Sequence, residues 1–241
     1  MGRLFATVSG KGGVGKSTVC CMLARALSKN AKVLLIDLDR GLGSLDIMLG
    51  VSDKIVFDLS DMLSGKKSED EVIQHIDNID LIPAPSGETD FAALREYLFK
   101  ATERYEFVLV DFPAGLNTAA VSQMPRFCEF LLIVCPNAIS CRAAASFADM
   151  IVGGKMCEPR LIVNRFNYKT LKHSKTATKN LDDIVNESRV RLLGIVSEDK
   201  NAELLYKGGI PKQKSPATRC INKIAARLCF EDVPLTALKK L

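Results

Sequence analysis

Seven short apolar runs recur along the chain: RLFATV (3–8), KVLLID (32–37), IDLIPA (79–84), YEFVLVDF (105–112), FLLIVC (130–135), PRLIVN (159–164) and RLLGIV (191–196). They read as strands without the polar alternation of a half-exposed sheet, so both of their faces must be covered. The stretches KSTVCCMLARALSKN (16–30), ETDFAALREYLFKATERY (88–105) and ISCRAAASFADMI (139–151) are long enough to be crossover helices. Together these patterns predict an α/β fold: a doubly wound, mostly parallel sheet with helices on both faces. In such folds ligands bind beyond the carboxyl ends of the strands. The informative residues should therefore follow strands, at Gly10 to Ser17, Asp37 to Asp39, Asp111 to Gly115, and Asn164.

Gly10-x-x-x-x-Gly15-Lys16-Ser17 satisfies the full phosphate-loop pattern, directly after a predicted strand and before a predicted helix. Its glycines let backbone N–H groups close around phosphate oxygens, and the following helix points its positive end at them. Lys16 adds a point charge on the outer phosphates. Ser17 is placed to offer its hydroxyl to Mg²⁺, with Thr18 as the next polar group at the helix start. Asp111, ending FVLVD, resembles a Walker B aspartate that would hold Mg²⁺ through water, and Pro113-Ala114-Gly115 behind it form a hinge-like loop. Asp37 and Asp39 end the second strand on the same edge, where a carboxylate can orient water for in-line attack. Guanine sites usually carry Asn-Lys-x-Asp, whereas Asn164-Arg165-Phe166-Asn167 lacks the lysine and aspartate; ATP is favoured over GTP, with Asn164 pairing to the adenine edge.

Several classes are set aside by composition. The eight cysteines contain no CxxC spacing, and Cys20, Cys21, Cys128, Cys135 and Cys229 lie in apolar runs, as expected of core residues in a reducing cytosol. No run approaches a membrane-spanning length, and LFATV is too short for a signal peptide. At 241 residues with 47% hydrophobic and 25% charged residues, one globular domain is expected over 1–230, followed by a short tail at 231–241.

With these motifs assembled, the chain resembles the deviant-Walker P-loop ATPases of the MinD/ParA family, and within it the MinD side. The likeness runs through KGGVGKST, LIDLDRGLGSLDIMLG, VDFPAG, CPNAISCR, LIVNRFN and RLLGIVSEDKNAELLYKGG. It implies a Mg²⁺-dependent ATPase, slow unless a partner stimulates it, that dimerises on ATP, cycles on and off the inner face of the cell membrane, and serves cell-division site placement. The implied nucleotide-binding set is Gly10, Lys11, Gly12, Gly13, Val14, Gly15, Lys16, Ser17, Thr18, Asn164 and Arg165. Lys11 in relatives reaches across a two-fold interface to the partner's ATP, so here it is expected to act in trans, as a second cation on developing charge. Lys11, Lys16, Asp39 and Asp37 form the implied catalytic set. Asp39 is the expected water-positioning residue and Asp37 its support, an order that the residues alone leave open.

Three departures from the family pattern stand out. Ser197 occupies a place where relatives usually have proline beside the adenine. The stretch AAASFADM after Ser140-Cys141-Arg142 lacks the acidic residues that often follow there in relatives. The tail VPLTALKKL is only about two helical turns long. Its Leu235, Leu238 and Leu241 share one face beside Lys239 and Lys240, with Pro234 able to start the helix. One copy should bind a membrane weakly, and two in an ATP dimer should gain avidity. A regulatory protein partner is implied as well. The alternatives are a ParA-like DNA-partition ATPase using Lys169, Lys172 and Lys175, a metallocentre-assembly ATPase using Cys157, and a scaffold that binds nucleotide without hydrolysing it.

Overall fold

A computed structural model describes residues 1–40, 43–115, 118–154, 156–168 and 181–236, with Thr118 described by its backbone alone. Among the described residues, eight strands form one sheet: β1 (Arg3–Val8), β2 (Val33–Asp37), β3 (Gln74–Ile76), β4 (Ile79–Ile82), β5 (Phe107–Asp111), β6 (Glu129–Val134), β7 (Arg160–Phe166) and β8 (Arg191–Ser197). Their order is β3-β4-β2-β5-β1-β6-β7-β8, and every pairing is parallel except β3 with β4. All seven expected strands are present and the doubly wound arrangement holds.

Strand alternation builds two cores. Leu4, Ala6 and Val8 of β1, Val108 and Val110 of β5, and Phe130 and Leu132 of β6 face one side. There they meet Leu94 and Leu98 of α5 (Phe91–Arg104), Phe147 and Ile151 of α7 (Ala138–Gly153), and Ile184 of α8 (Leu181–Ser188). Phe5, Leu109, Leu131 and Ile133 face the other side. They pack with α1 (Lys16–Leu27), α2 (Leu45–Leu49) and α9 (Pro216–Leu228), including the fully buried Cys20 and Cys21. The buried cysteines of this face act as small apolar residues, and burial pushes the Cys21 thiol up to about 11, whereas Cys229, expected in the core, is exposed past the end of α9. Short helices α3 (Leu59–Leu63), α4 (Glu69–Val72) and α6 (Thr118–Ser122) complete the described helical layers, with 3₁₀ turns at Ser52–Lys54 and Lys200–Lys207. Among the described residues, no helix is long and apolar enough to cross a membrane.

The chain leaves β1 toward β2 on one side and leaves β5 toward β6 on the other. The carboxyl ends of these adjacent strands therefore frame the crevice where strand order diverges, which is the favoured ligand position in open α/β sheets. The antiparallel β3 escaped sequence reading because it is three residues long, on an edge, and contains Gln74 and His75 instead of an apolar run. Asp77 adopts left-handed backbone geometry, φ 51°, in the tight Asp77-Asn78 turn that joins it to β4.

Behind this hairpin Asp80 is buried yet ionised. Its carboxylate accepts from Tyr105 Oη at 2.7 Å, contacts His75 Nδ1 at 2.6 Å, and pairs with Lys32 Nζ at 3.2 Å. Burial pushes its pKa up, but these three partners together outweigh burial and hold it below the usual carboxylate value. Its stabilising contribution is complete above the unfolded pKa of about 3.9 and is lost as pH falls through the lower folded pKa. The urea midpoint should therefore decline on acidification below about pH 4. Asp80→Asn should flatten that part of the curve, and an unaltered acid limb would exclude this cluster as its cause.

Beyond α9 the chain turns back along the helix. Arg227 Nε donates to the Val233 carbonyl at 2.9 Å and Lys223 Nζ to that of Pro234 at 3.3 Å. Pro234, Leu235 and Thr236 carry no regular structure, and Leu235 is exposed. Leu238, Lys239, Lys240 and Leu241 of the expected amphipathic tail lie outside the described residues, as do Lys169, Lys172 and Lys175.

Candidate nucleotide site

The phosphate loop leaves β1 at Val8 and is tied down on three sides. The Gly115 N–H donates to Ser9 O at 2.9 Å, joining the loop to the hinge behind β5. Ser9 Oγ donates to Lys11 O at 3.1 Å. From β7, Asn164 Nδ2 donates to Val14 O at 2.8 Å, and the Cys135 thiol approaches the same oxygen at 3.7 Å. Gly15 is required twice over: its φ is 85°, and a Cβ there would lie 2.3 Å from Asn164 Nδ2. Gly10 packs against α7, where a Cβ would meet Ala143. The Gly13 backbone takes the left-handed φ of 75° with open space around it, which leaves the crest of the loop free for a ligand.

Helix α1 begins at Lys16, whose side chain is buried. Its Nζ lies 2.8 Å from Asp111 Oδ1 and 3.3 Å from Ser17 Oγ. Thr7 donates to the same Asp111 oxygen at 2.6 Å, because the parallel register sets Thr7 beside Asp111. Asp37 pairs with Asp111 from the other side, in β2. Oδ2 of the fully buried Asp111 has no hydrogen-bond partner among the described residues. Three acids, Asp37, Asp39 and Asp111, thus gather around one buried lysine, and an unsatisfied carboxylate oxygen sits among them. Excess buried negative charge with a free oxygen donor fits a divalent cation held between Ser17 and Asp111.

The two candidate water-positioning acids occupy different environments. Asp37 is buried, with Oδ1 accepting from Asp39 N at 2.9 Å and Oδ2 from Ser44 N at 3.2 Å and Leu45 N at 3.3 Å. Burial, then the like charge of Asp111, lift its pKa to about 6 against these donors. Its oxygens thus serve the loop leading into α2. Asp39 is half-buried and lines a 150 Å³ cavity with Gly13, Lys16, Ser17 and Ala114. Burial raises its pKa, Lys16 opposes the rise, and Asp111 adds to it.

A second cavity of about 590 Å³ adjoins the first and shares Gly15, Thr18, Arg165 and Tyr206 with it. Val19, Met22, Val196, Ala202 and Ala217 give it apolar walls, while Asn164, Asn167, Ser197 and Asp199 supply polar ones. Glu198, Lys200 and Glu203 add charge to the lining, and a volume of this size with both apolar and polar walls can take a base and ribose beside a phosphate loop. Asn164 reaches this cavity through a bulge: β7 advances from Val163 to Phe166 while β8 advances only from Ile195 to Ser197. Arg165, the extra residue's neighbour, has φ 53°. Because its Nδ2 is committed to Val14 O, Asn164 braces the loop as well as lining the base cavity.

The structure therefore gathers Gly13, Val14, Gly15, Lys16, Ser17, Thr18, Asp39, Asn164, Arg165 and Asp111 at one crevice. Lys11 and Gly12 stand exposed at its rim. Ser197 is buried, with Oγ 3.6 Å from Cys220 Sγ. Cys157 lies apart from the crevice, its Sγ 3.2 Å from Arg126 O. Sequence reading missed Thr7 and Tyr206. Thr7 was visible only as a polar residue within the otherwise apolar run Leu4 to Val8, and its meaning depends on a register that the sequence does not reveal. Tyr206 sits in a 3₁₀ turn without helical or strand periodicity.

Comparison with known proteins places the chain in a family. Residues 5–211 match the model of the CobQ/CobB/MinD/ParA nucleotide binding domain. The septum site-determining protein MinD of Thermotoga maritima is 30% identical, covering 98% of this chain and 91% of that protein. MinD of Bacillus subtilis is 29% identical over 100% of this chain and 94% of its own. Among solved structures, the MinC:MinD cell division protein complex of Aquifex aeolicus superposes with a TM-score of 0.87 at 30% identity, covering 98% of this chain and 99% of that one. MinD of Pyrococcus horikoshii, complexed with Mg-ADP, superposes with a TM-score of 0.81 at 27% identity over 95% and 96% of the two chains. Because the family model matches residues 5–211 and the Thermotoga maritima relative is 30% identical across 98% of the chain, the chain belongs to the CobQ/CobB/MinD/ParA nucleotide-binding family.

Proposed function

We propose that this chain is a Mg²⁺-dependent ATPase of the MinD kind, a spatial regulator that dimerises on ATP and cycles on and off the inner face of the cell membrane in cell-division site placement. One observation carries the reading: the loop holds two lysines in opposite environments. Lys16 is buried on Asp111, while Lys11 is exposed at the rim. A lysine already neutralised inside its own crevice suits the phosphates of its own nucleotide. An exposed one suits phosphates brought by a second chain.

Residues 1–230 act as one nucleotide-binding domain and 231–241 as a tail contacting the membrane. Ser17 and Asp111 are the residues that would hold Mg²⁺, which supplies neutralising charge on the outer phosphates when bound. The loop N–H groups and the start of α1 bind and orient the phosphates. Asp39, with Asp37 fixing its loop, orients water for attack, and Lys11 of a second copy stabilises the charge that develops. The Mg-ADP held by the Pyrococcus horikoshii relative supports the nucleotide and metal. The MinC:MinD complex supports a regulatory protein as partner.

The test is co-sedimentation with anionic phospholipid vesicles, alongside retention on nonspecific DNA, each with ATP or ADP. Vesicle binding with ATP but not ADP, lost on deleting residues 234–241, is the expected result. DNA retention without vesicle binding would replace this reading with a partition ATPase. For the chemistry, Asp39→Ala should keep the ATP dimer but lower turnover by roughly 10²-fold, the scale of one lost proton-handling or water-orienting group. Unchanged turnover would move the role to Asp37.

A further inference from the structure

The two cavities of the nucleotide crevice share a border lined by Gly15, Thr18, Arg165 and Tyr206. Across it the Tyr206 and Thr18 hydroxyls lie 2.9 Å apart. Tyr206 is 51% exposed, so packing does not hold its ring in place. Its backbone is fixed on every side. Leu205 is fully buried, and Asp199 caps the turn by accepting from Asn201 N at 2.9 Å and receives Ala217 N at 3.1 Å. Gly208 closes the turn with φ 66°, so near to α2 that a Cβ would lie 3.1 Å from Gly50 Cα. A partly exposed side chain on an anchored turn, hydrogen-bonded across the border that the two cavities share, has the form of a latch.

We propose that Tyr206 is a positioning residue for the nucleotide, acting through Thr18 at the junction of the base and phosphate cavities. This rests on the nucleotide reading above. A hydroxyl has one hydrogen to give and two lone pairs to receive with. When Tyr206 donates to Thr18 Oγ1, the Thr18 hydrogen is released for an acceptor in the phosphate cavity, and the two hydroxyls form a relay in which each bond polarises the next. The Tyr206 side chain meanwhile forms part of the wall of both cavities. The turn that carries Tyr206 also abuts α2 at Gly50, whose preceding loop is braced by Asp37. The latch and the Asp39 loop thus share a mechanical support.

The test is titration calorimetry of the full chain with ADP and with a non-hydrolysable ATP analogue, each with Mg²⁺, for the native protein, Tyr206→Phe, Tyr206→Ala, Thr18→Val and the double variant Thr18→Val/Tyr206→Phe. Tyr206→Phe keeps the ring and should raise Kd by roughly three- to tenfold, the worth of one neutral hydrogen bond. It should raise KM for ATP similarly while leaving kcat near native. Tyr206→Ala should cost more, because the wall is lost too. On the Thr18→Val background Tyr206→Phe should cost almost nothing, since the relay is already broken. The chain has no tryptophan and four tyrosines, so nucleotide binding should change its tyrosine emission, and Tyr206→Phe should diminish that change. If the native chain binds nucleotide and Tyr206→Phe binds equally, or if its cost persists in full beside Thr18→Val, the latch is overturned and the nucleotide reading stands. If the native chain binds no nucleotide, both fall.

Discussion

Lys16→Ala is expected to damage the protein twice, in binding and in stability. A lysine that meets phosphate through charge-assisted contacts contributes about 1.5 to 3 kcal/mol, so affinity for ATP and ADP should fall by roughly 10²-fold. The second effect appears without any nucleotide. Lys16 and Asp111 are 5% and 0% exposed and 2.8 Å apart. Removing one member of such a pair leaves an uncompensated buried charge, which typically costs about 3 to 5 kcal/mol. Asp111 would keep only the Thr7 hydroxyl on Oδ1 and nothing on Oδ2, with Asp37 still beside it. Urea unfolding of the nucleotide-free chain measures this loss directly. The double variant Lys16→Ala/Asp111→Asn separates the two effects: it should recover much of the stability, because no orphan charge remains, yet recover none of the affinity. If Lys16→Ala unfolds at the native urea concentration, solvent rather than Lys16 compensates Asp111, and the electrostatic account of the crevice fails.

The same pair shows what the sequence could and could not convey. Lys16 and Asp111 were each legible from local pattern, one in a glycine loop and the other at the end of an apolar run. Their contact was not, because it depends on β1 lying beside β5 in a register that sets Thr7 against Asp111. The fold was legible for a related reason: strands buried on both faces carry a continuous apolar signal that does not depend on which strands are neighbours. The edge strand β3 carries no such signal. Asp37 and Asp39 could not be ordered from sequence, since both sit at the end of the same strand. Only the return of the chain through Ser44 and Leu45 shows which carboxylate is consumed by backbone N–H groups. Asn164 likewise reads as a base-pairing amide, and the β7 bulge adds the loop-bracing bond that no spacing rule contains. Tyr206 had no local signature at all, because a 3₁₀ turn leaves no periodicity to follow.

Lys11→Ala should leave the isolated chain almost untouched and remove nearly all of its hydrolysis. The side chain is exposed, and a surface substitution of this kind usually changes stability by less than about 0.5 kcal/mol. Nucleotide affinity of the monomer should stay near native, since Lys16, Ser17, Thr18 and the loop backbone are unchanged. A cation delivered in trans to a phosphoryl-transfer site is worth on the order of 10³-fold or more in rate, and turnover should fall by that much. The ATP-dependent dimer should vanish from sedimentation profiles. Loss of rate alone does not establish trans action, because a lysine serving its own site would give the same result. Mixing variants decides it. A chain with Lys11→Ala retains Asp39, and a chain with Asp39→Ala retains Lys11. If Lys11 crosses the interface, a mixed pair assembles one complete site on the Lys11→Ala chain, supplied by its partner, and hydrolysis reappears on mixing two nearly inactive proteins. If Lys11 serves its own nucleotide, every site in the mixture lacks one group and the mixture stays inactive. Recovery on mixing would make the exposed lysine half of an interface; its absence would return Lys11 to its own loop and remove the main support for an ATP-bridged dimer.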